Sequence, residues 1–417
     1  MLVTSPITRT LYSHEETVGM HIGINAQLLS FSQNYRNGGV SRYIRYLLNE
    51  LAKQPGKHEY TVFVNGQEIV EKLSAQHAHI TYVSATWSES QPAARVAWEQ
   101  LTLPSLIRQK HIDVLHSPVN VLPVLLPRCC AGVVTLHDLA FLRFPNVFTR
   151  SKRLYHQMFT VRSIRQASMV ITVSESTKKD AVDLIGVPGE RVKTVYPCID
   201  ARFSSAYKDE ELQIFREKQG LADGYLLYLG TLEPRKNITT LIEAYAQLRK
   251  TYAIHEKLVL AGGKGWLYDA IFKRVEQLGL SSEVLFAGFV ADSELALWYS
   301  AASAFVFPSL YEGFGIPVAE ALACGVPVIT SNVSSLPEAG SGIALCIDPQ
   351  SVEALVAAIH TALTDQTFRQ KCSTMAPVVT RRFAAQRMVE QTIQVYEQAA
   401  SVHSTTQRRS QRDSFVR

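Results

Sequence analysis

The chain has 417 residues, 47% of them hydrophobic and 19% charged, with a formal net charge of +5. That length exceeds one ordinary core and sets two domains as the expectation. The composition is that of a globular protein, and the mild basicity alone does not specify an anionic partner. The longest apolar stretches are broken by Pro, Arg or Gly well short of the roughly 18 residues that span a membrane. The six cysteines, Cys129, Cys130, Cys198, Cys324, Cys346 and Cys372, form no C-x-x-C pair and no ligand spacing with histidine. Several sit in apolar runs, which reads as reduced thiols in a reducing compartment rather than disulfides or zinc ligands.

In chain order, residues 1–19 lack the apolar core of a signal peptide and are expected to be a disordered extension. "MHIGINAQLL" from Met20 then reads as a first strand. Six more strand candidates follow: "YTVFVN", "ITYVSA", "DVLHSP", "GVVTLHD", "MVITVS" and "VKTVYP". Helices such as "VSRYIRYLLNELAKQ" and "ESTKKDAVDLIG" lie between them, the first with Val40, Tyr43, Ile44, Leu47, Leu48 and Leu51 at helical spacing. Strands separated by helices require a parallel sheet with right-handed crossovers, so residues 20–198 form one Rossmann-like domain. Residues 199–223 are polar and suit a linker.

The alternation restarts over 224–375 with "YLLYLGTL", "KLVLAGG", "VLFAGFV", "AFVFPS", "VPVITS" and "ALCIDP" as strands. "NITTLIEAYAQLRKTY", "DSELALWYSAAS", "IPVAEALACG" and "SVEALVAAIHTALTD" are the helices, with Asn237 and Asp292 at N-cap positions. A final helix is expected within 376–401, followed by a disordered basic tail, 402–417. The fold class is therefore α/β, with two doubly wound domains facing a central cleft into which both sets of strand C-termini point.

The chemistry-bearing residues fall at those strand ends. After "YLLYLG", a tight turn carries Arg235 and Lys236 just before a helix, and cations beside free helical N–H groups make a site for phosphate. After "AFVFPS", the loop "LYEGFG" sets Glu312, Gly313, Phe314 and Gly315 ahead of a helix that carries Glu320. Gly313 and Gly315 let backbone approach a ligand, and each carboxylate can accept paired hydrogen bonds from vicinal hydroxyls of a sugar or ribose. An acid near a helix start also complements the dipole, which accounts for Glu320 alone but not for the whole group. His137 and Asp138 end "GVVTLHD", where His137 is placed to donate to a sugar hydroxyl, with Asp138 orienting it or contacting the acceptor. His116 ends another strand on the same side, and a structural role is the simpler reading for it. Gly38 and Gly39 form a turn before the first helix, but no G-x-G-x-x-G with a following acid is present, which argues against a dehydrogenase.

Residues 143–165 contain Arg143, Arg150, Lys152, Arg153, Arg162 and Arg165 without an acid, interleaved with Phe144, Phe148, Tyr155, Met158 and Phe159. This is either a solvated basic face over an aromatic core side, or a surface for anionic lipid or a lipid-diphosphate acceptor. No nucleic-acid module accompanies it.

Taken together the residues resemble retaining glycosyltransferases of family 4, which have the GT-B fold, over nearly all of the chain from Met20 to Ser401. The E-x7-E pattern from Glu312 to Glu320 is the most specific likeness, followed by "GTLEPRKN", the strand-end His137, "GGVSRY" and "YPCID". The resemblance implies a nucleotide-diphosphate sugar as donor, a glycan or lipid-linked saccharide as acceptor, and no metal or other cofactor. The first domain would face the acceptor and the second would hold the donor. It implies that Lys236 and Arg235 bind the diphosphate and that Glu312, with Phe314 and Gly315 backbone, contacts the donor sugar. Glu320 would hold the ribose, and His137 would lie near the reacting carbon. Gly38 and Gly39 would line the donor–acceptor gap, with backbone at Phe289 and Val290 against the base. Thr231 stands where many members carry an arginine, so that contact passes to Arg235. The last helix would cross back onto the first domain.

Such a reaction needs the charge of the departing diphosphate stabilised, which cations and helix amides supply without a metal. Same-face attack, with the leaving phosphate taking the acceptor proton, is the expected route to retention. Mannosyl transfer from GDP-mannose is the leading donor expectation, with UDP-sugars next. The location expected is cytoplasmic, peripheral at the inner face of the membrane. A nucleotide-sugar epimerase, a phosphorylase and an inactive nucleotide-sugar-binding scaffold share the architecture. A phosphorylase would need a pyridoxal-phosphate lysine, for which the sequence offers no context.

Overall fold

Strand-forming runs that alternate with helices close into parallel sheets, and the computed structural model of this chain contains two. The structure describes residues 19–31, 38–54, 56–85, 87, 92–145, 149–203, 207–263, 265 and 268–415. Residues 1–18 of the extension expected over 1–19, and the aromatic Phe148, lie outside them.

The first sheet comprises β1 (His21–Asn25), β2 (Glu59–Asn65), β3 (Ile80–Ala85), β4 (Val114–Ser117), β5 (Ala131–Leu136), β6 (Met169–Thr172) and β7 (Val192–Thr194). Its order is β3-β2-β1-β4-β5-β6-β7, parallel throughout. The second comprises β8 (Tyr225–Leu229), β9 (Lys257–Ala261), β10 (Val284–Gly288), β11 (Ala304–Phe307), β12 (Val328–Ser331) and β13 (Leu345–Ile347). Its order is β10-β9-β8-β11-β12-β13, again all parallel. Strand order reverses between β1 and β4 in one sheet and between β8 and β11 in the other, so a ligand crevice opens at each of those points.

Seven helices position the cleft: α1 (Gly39–Ala52), α2 (Glu175–Asp180), α3 (Asp209–Lys218), α4 (Ile238–Tyr252), α5 (Ile316–Ala323), α6 (Gln366–Arg382) and α7 (Ala385–Phe415). The apolar stripe of α1 (Tyr43, Ile44, Leu47, Leu48 and Leu51) is buried against Ile22, Ile24, Val62 and Val133 of the first sheet. The opposite face of that sheet is covered by Leu103, Ile107 and Ile164. The second sheet packs between the buried stripe of α4 (Leu241, Ile242, Tyr245, Leu248) and residues of α5 and α6 such as Val318, Leu322 and Val379.

Four expectations change. The stretch read as linker contains α3, because Leu212 and Phe215, three positions apart, bury one face into the second domain, Phe215 edge-on to Trp298 at 5.1 Å. Asp292 is not a helix cap: the helix after it starts at Leu295 with Glu294 before it. Residues 376–382 finish α6 on the second domain, and the crossing helix is α7, from Ala385. It continues to Phe415 through the segment expected to be disordered, since no glycine or proline interrupts 384–415 and His403 Nε2 bonds the Arg128 carbonyl at 2.7 Å.

Helix α7 returns to the first domain, where Met388, Val389, Val395, Tyr396 and Ala399 join its core. His116 is the polar anchor of that return. It is fully buried, with Nδ1 on the Tyr396 hydroxyl at 2.7 Å and Nε2 on Thr135 Oγ1 at 2.8 Å. Burial, with a smaller contribution from His137, pushes its pKa down to about 3, so the ring is neutral and structural. Tyr396→Phe, which leaves that buried nitrogen without its partner, is expected to lower stability by about 1–3 kcal/mol in urea denaturation.

Candidate functional site

Both switch points open onto one cavity of about 750 Å³ between the domains. Gly38, Gly39, His137 and Asp138 line it from the first domain. From the second come Arg235, Lys236, Phe289, Val290, Glu312, Gly313, Phe314, Gly315 and Glu320. Residues scattered over 283 positions of sequence thus meet because each follows a strand C-terminus or opens a helix.

The Pro234–Lys236 turn after β8 and the loop after β11 are bound to each other. The Leu310 N–H donates to the Arg235 carbonyl at 2.9 Å, and Arg235 Nη1 to the Tyr311 carbonyl at 2.5 Å. Lys236 Nζ meets Glu312 Oε1 at 2.6 Å, and Arg235 Nη1 meets Oε2 at 3.1 Å. Glu233, not foreseen from sequence, holds the other end of the Arg235 guanidinium at 2.8 Å. Burial by itself pushes the Glu312 carboxyl up, but Lys236 and Arg235 outweigh it and hold the pKa below the usual value. Two acids and two cations therefore form a locally balanced cluster whose charged ends are already oriented. The cations line the cavity beside the start of α4, an arrangement in which charge and dipole together favour an anion.

Gly313 and Gly315 have separate reasons to be glycine. Gly315 precedes α5 at φ 99°, in the left-handed region. At Gly313 a Cβ would lie 1.7 Å from the His137 carbonyl oxygen, so the two domains touch backbone to backbone there. Ser174 Oγ and Thr177 Oγ1, at the start of α2, donate to the Gly313 carbonyl at 2.6 and 3.0 Å. Nearby, the Glu338 carboxylate accepts the first two N–H groups of α2, those of Glu175 and Ser176, at 2.8 Å each.

The expected partnership of His137 and Asp138 is not what forms. His137 Nε2 bonds the Pro118 carbonyl at 2.8 Å, and Asp138 Oδ1 instead accepts the Ala140 N–H at 3.0 Å. Because a carbonyl only accepts, Nε2 carries the proton, and burial lowers the ring pKa against the opposing pull of that carbonyl and Asp138. The neutral ring, edge-on to Tyr43 at 5.3 Å, keeps Nδ1 as an acceptor, so His137 can accept a hydrogen bond from a hydroxyl rather than donate one.

Glu320 is 1% exposed, its Oε1 paired with Arg42 Nη2 and its Oε2 accepting from the Tyr299 hydroxyl at 3.0 Å. Burial raises its pKa, and Arg42 and Tyr299 offset that only in part. Arg42 and Asp292 also line the cavity, and the sequence reading missed both. Asp292 joins Arg45 across the cleft at 3.0 Å, and Arg202, which lies over Phe203 of the second-domain core, at 2.9 Å. The visible signal was the polar Arg42 and Arg45 on an otherwise apolar-facing helix.

Two doubly wound domains that close a cavity over an acid–cation cluster define the GT-B class of glycosyltransferase. Residues 37–203 match the family described as Glycosyltransferase Family 4, and residues 209–378 match Glycosyl transferases group 1. The O-antigen chain mannosyltransferase B of Escherichia coli is 33% identical over 284 residues, covering 68% of this chain and 74% of that protein. The serotype-specific mannosyltransferase WbdA of Escherichia coli is 31% identical over 230 residues, 54% of this chain and 28% of that longer protein. The crystal structure of Anabaena Alr3699/HepE in complex with UDP and glucose superimposes with a TM-score of 0.68 at 20% identity, covering 90% of this chain and 98% of that one. The chain belongs to the family 4 glycosyltransferases.

Gly313→Ala is expected to hold the domains apart while each core folds. Its thermal midpoint should stay within a few degrees of the parent, whereas turnover should fall on the order of 10²-fold, as for misplacement of a reacting group by about 1 Å.

Proposed function

We propose that the chain is a retaining hexosyltransferase that moves mannose from GDP-mannose to a glycan or lipid-linked saccharide during polysaccharide assembly. The observation that carries this reading is the Lys236–Glu312 pair on the cavity wall, at 2.6 Å. Entry of a sugar diphosphate gives the cations phosphate oxygens to bind and gives Glu312 sugar hydroxyls to accept from. As the bond from the anomeric carbon to the phosphate oxygen breaks, Lys236, Arg235 and the α4 amides stabilise the diphosphate charge. No metal is required for that step. Both oxygens of Glu312 are held by cations, which makes it a poor nucleophile and favours same-face attack. The acceptor hydroxyl then bonds the anomeric carbon, and its proton passes to the leaving phosphate oxygen. The mannosyl assignment draws on the relatives named as mannosyltransferases, and the GDP assignment on the "GTLEPRKN" turn.

Incubation with GDP-mannose and UDP-sugars, with and without chelator, tests donor and metal together. Diphosphate release from GDP-mannose, unaffected by chelator and with the α-anomer in the product by NMR, is the expected result. Release from UDP-sugars alone would replace the donor. Lys236→Ala and Glu312→Ala should each lower kcat by about 10²–10³-fold with an unchanged circular dichroism spectrum, and normal turnover in either would contradict the site.

A lipid-linked acceptor would put the reaction at the cytoplasmic face of an anionic membrane. Leu101, Leu125, Leu154 and Met158 are 72%, 68%, 57% and 56% exposed on the first domain. Their elements are joined through Gln100, which bonds Leu122 and Val124, and Ser163, which bonds Leu122. Arg153, Arg162 and Arg165 of the same domain are exposed, whereas Arg143 pairs with Asp180 at 2.5 Å. No described helix is long and apolar enough to cross a membrane, so contact would be peripheral. Replacing Leu154 and Met158 together by Glu should abolish co-sedimentation with phosphatidylglycerol vesicles, and unaltered binding would remove the membrane from this account.

A further inference from the structure

The carboxylate assigned to the nucleotide ribose is already engaged by the opposite domain. Glu320 stands on α5, is 1% exposed, and has one oxygen on Arg42 and the other on Tyr299. Arg42 stands on α1, so its pair with Glu320 crosses the cleft. The Arg42 Nε is buried without a hydrogen-bond partner, 3.8 Å from Asp292, and the residue lines the cavity. Tyr299 cannot leave, since it is fully buried beside Phe203 and Phe305 on the same domain as Glu320. Arg42 is the partner that can be exchanged.

A ribose diol recognised by a carboxylate donates two hydrogen bonds to it. With Glu320 enclosed, those hydroxyls and the Arg42 guanidinium claim the same oxygen. We infer that Arg42 is a donor-displaced latch, which pairs with Glu320 to hold the domains together and yields that carboxylate to the ribose of the entering nucleotide. The inference rests on the donor-binding reading of Glu320. Arg45 and Arg202 keep Asp292 paired when Arg42 moves, so one contact of the charged group is exchanged while the rest persists. The released guanidinium stays beside Asp292 and carries its spare Nε–H into the cavity. Ribose entry is thereby coupled to a shift of α1 against α5, and product departure restores the pair. The latch also makes the ribose hydroxyls, rather than the base, the part of the nucleotide that opens the cleft.

Calorimetric titration with GDP, UDP and their 2′,3′-dideoxy forms at pH 8 tests this, using the full chain and its Arg42→Met and Arg42→Lys variants. Removing the competitor in Arg42→Met should tighten binding of the ribose diphosphate that the parent binds by roughly tenfold, about one charge-assisted hydrogen bond. Binding of the dideoxy form, which cannot claim Glu320, should not change. In a Glu320→Gln background the Arg42→Met gain should vanish, because the contested charge is gone. Arg42→Lys, which keeps the cation but makes a single contact, should fall between parent and Arg42→Met. That variant carries the test if the methionine variant fails to fold. Equal or weaker ribonucleotide binding in both variants overturns the latch while leaving the donor site standing. Failure of the parent to bind either diphosphate overturns the donor reading, and the latch with it.

Discussion

The site depends on one constraint: a buried carboxylate stays charged only where cations reach it. Glu312 is 9% exposed, and burial without a partner would raise its pKa and favour the neutral form. Lys236 and Arg235 prevent that from a turn 76 positions earlier, which the sheet brings alongside because β8 and β11 are neighbours. The requirement runs both ways. Two cations at a helix start oppose its dipole, and Glu312 with Glu233 neutralises them. The cluster is therefore an oriented set of donors and acceptors before any sugar phosphate arrives, and that is the condition for electrostatic stabilisation without reorganisation.

The distance between the domains is set by contacts less yielding than ion pairs. The Gly313–His137 approach leaves no room for a methyl group, and Ser174, Thr177 and Glu338 fix the same edge through backbone hydrogen bonds. Tyr311 extends the seam, accepting from the Leu139 N–H at 3.2 Å and donating to Asp180 at 2.8 Å. Along the other side of the cleft the contacts are charged, between Arg42, Arg45 and Arg202 and the acids Asp292 and Glu320. Dipolar contacts to backbone set the geometry on one side, and ion pairs hold the other. A cleft that must admit a ligand and then exclude water needs that asymmetry.

Much of this was legible in sequence. Each strand run read from the sequence forms a strand, because apolar runs of four to six residues bounded by glycine, proline or charge have no other way to be buried in a parallel sheet. The residues after those strands met in one cavity for the same reason, since strand C-termini point one way. What was missed involves contacts between distant segments. Of the three apolar residues of α3, Leu212, Ile214 and Phe215, only Leu212 and Phe215 share a buried face, and that face is defined by Trp298 and its neighbours. Asp292 has the residue type and position of a cap, and only the arginines of α1 and residue 202 show what it does instead. Asp138 beside His137 suggested a pair, but neighbouring side chains on a strand end diverge, and the Pro118 carbonyl stood nearer.

The two acids of the E-x7-E pattern are set apart by their surroundings. Glu312 has its pKa lowered by Lys236 and Arg235 in spite of burial, so its charge contributes stability above the ordinary carboxylate range, which is lost as pH falls through the lowered value. Glu320 has its pKa raised by burial, with Arg42 and Tyr299 compensating only in part, so ionising it costs stability as pH rises towards that raised value. Glu312 thus keeps its charge by partners on its own domain, whereas Glu320 relies on a cation from the other domain. A carboxylate of the second kind is poorly served by closure alone and gains most from a ligand that brings hydrogen-bond donors with it. Two acids eight positions apart can therefore divide the work, one fixed as part of the wall and the other responsive to what enters.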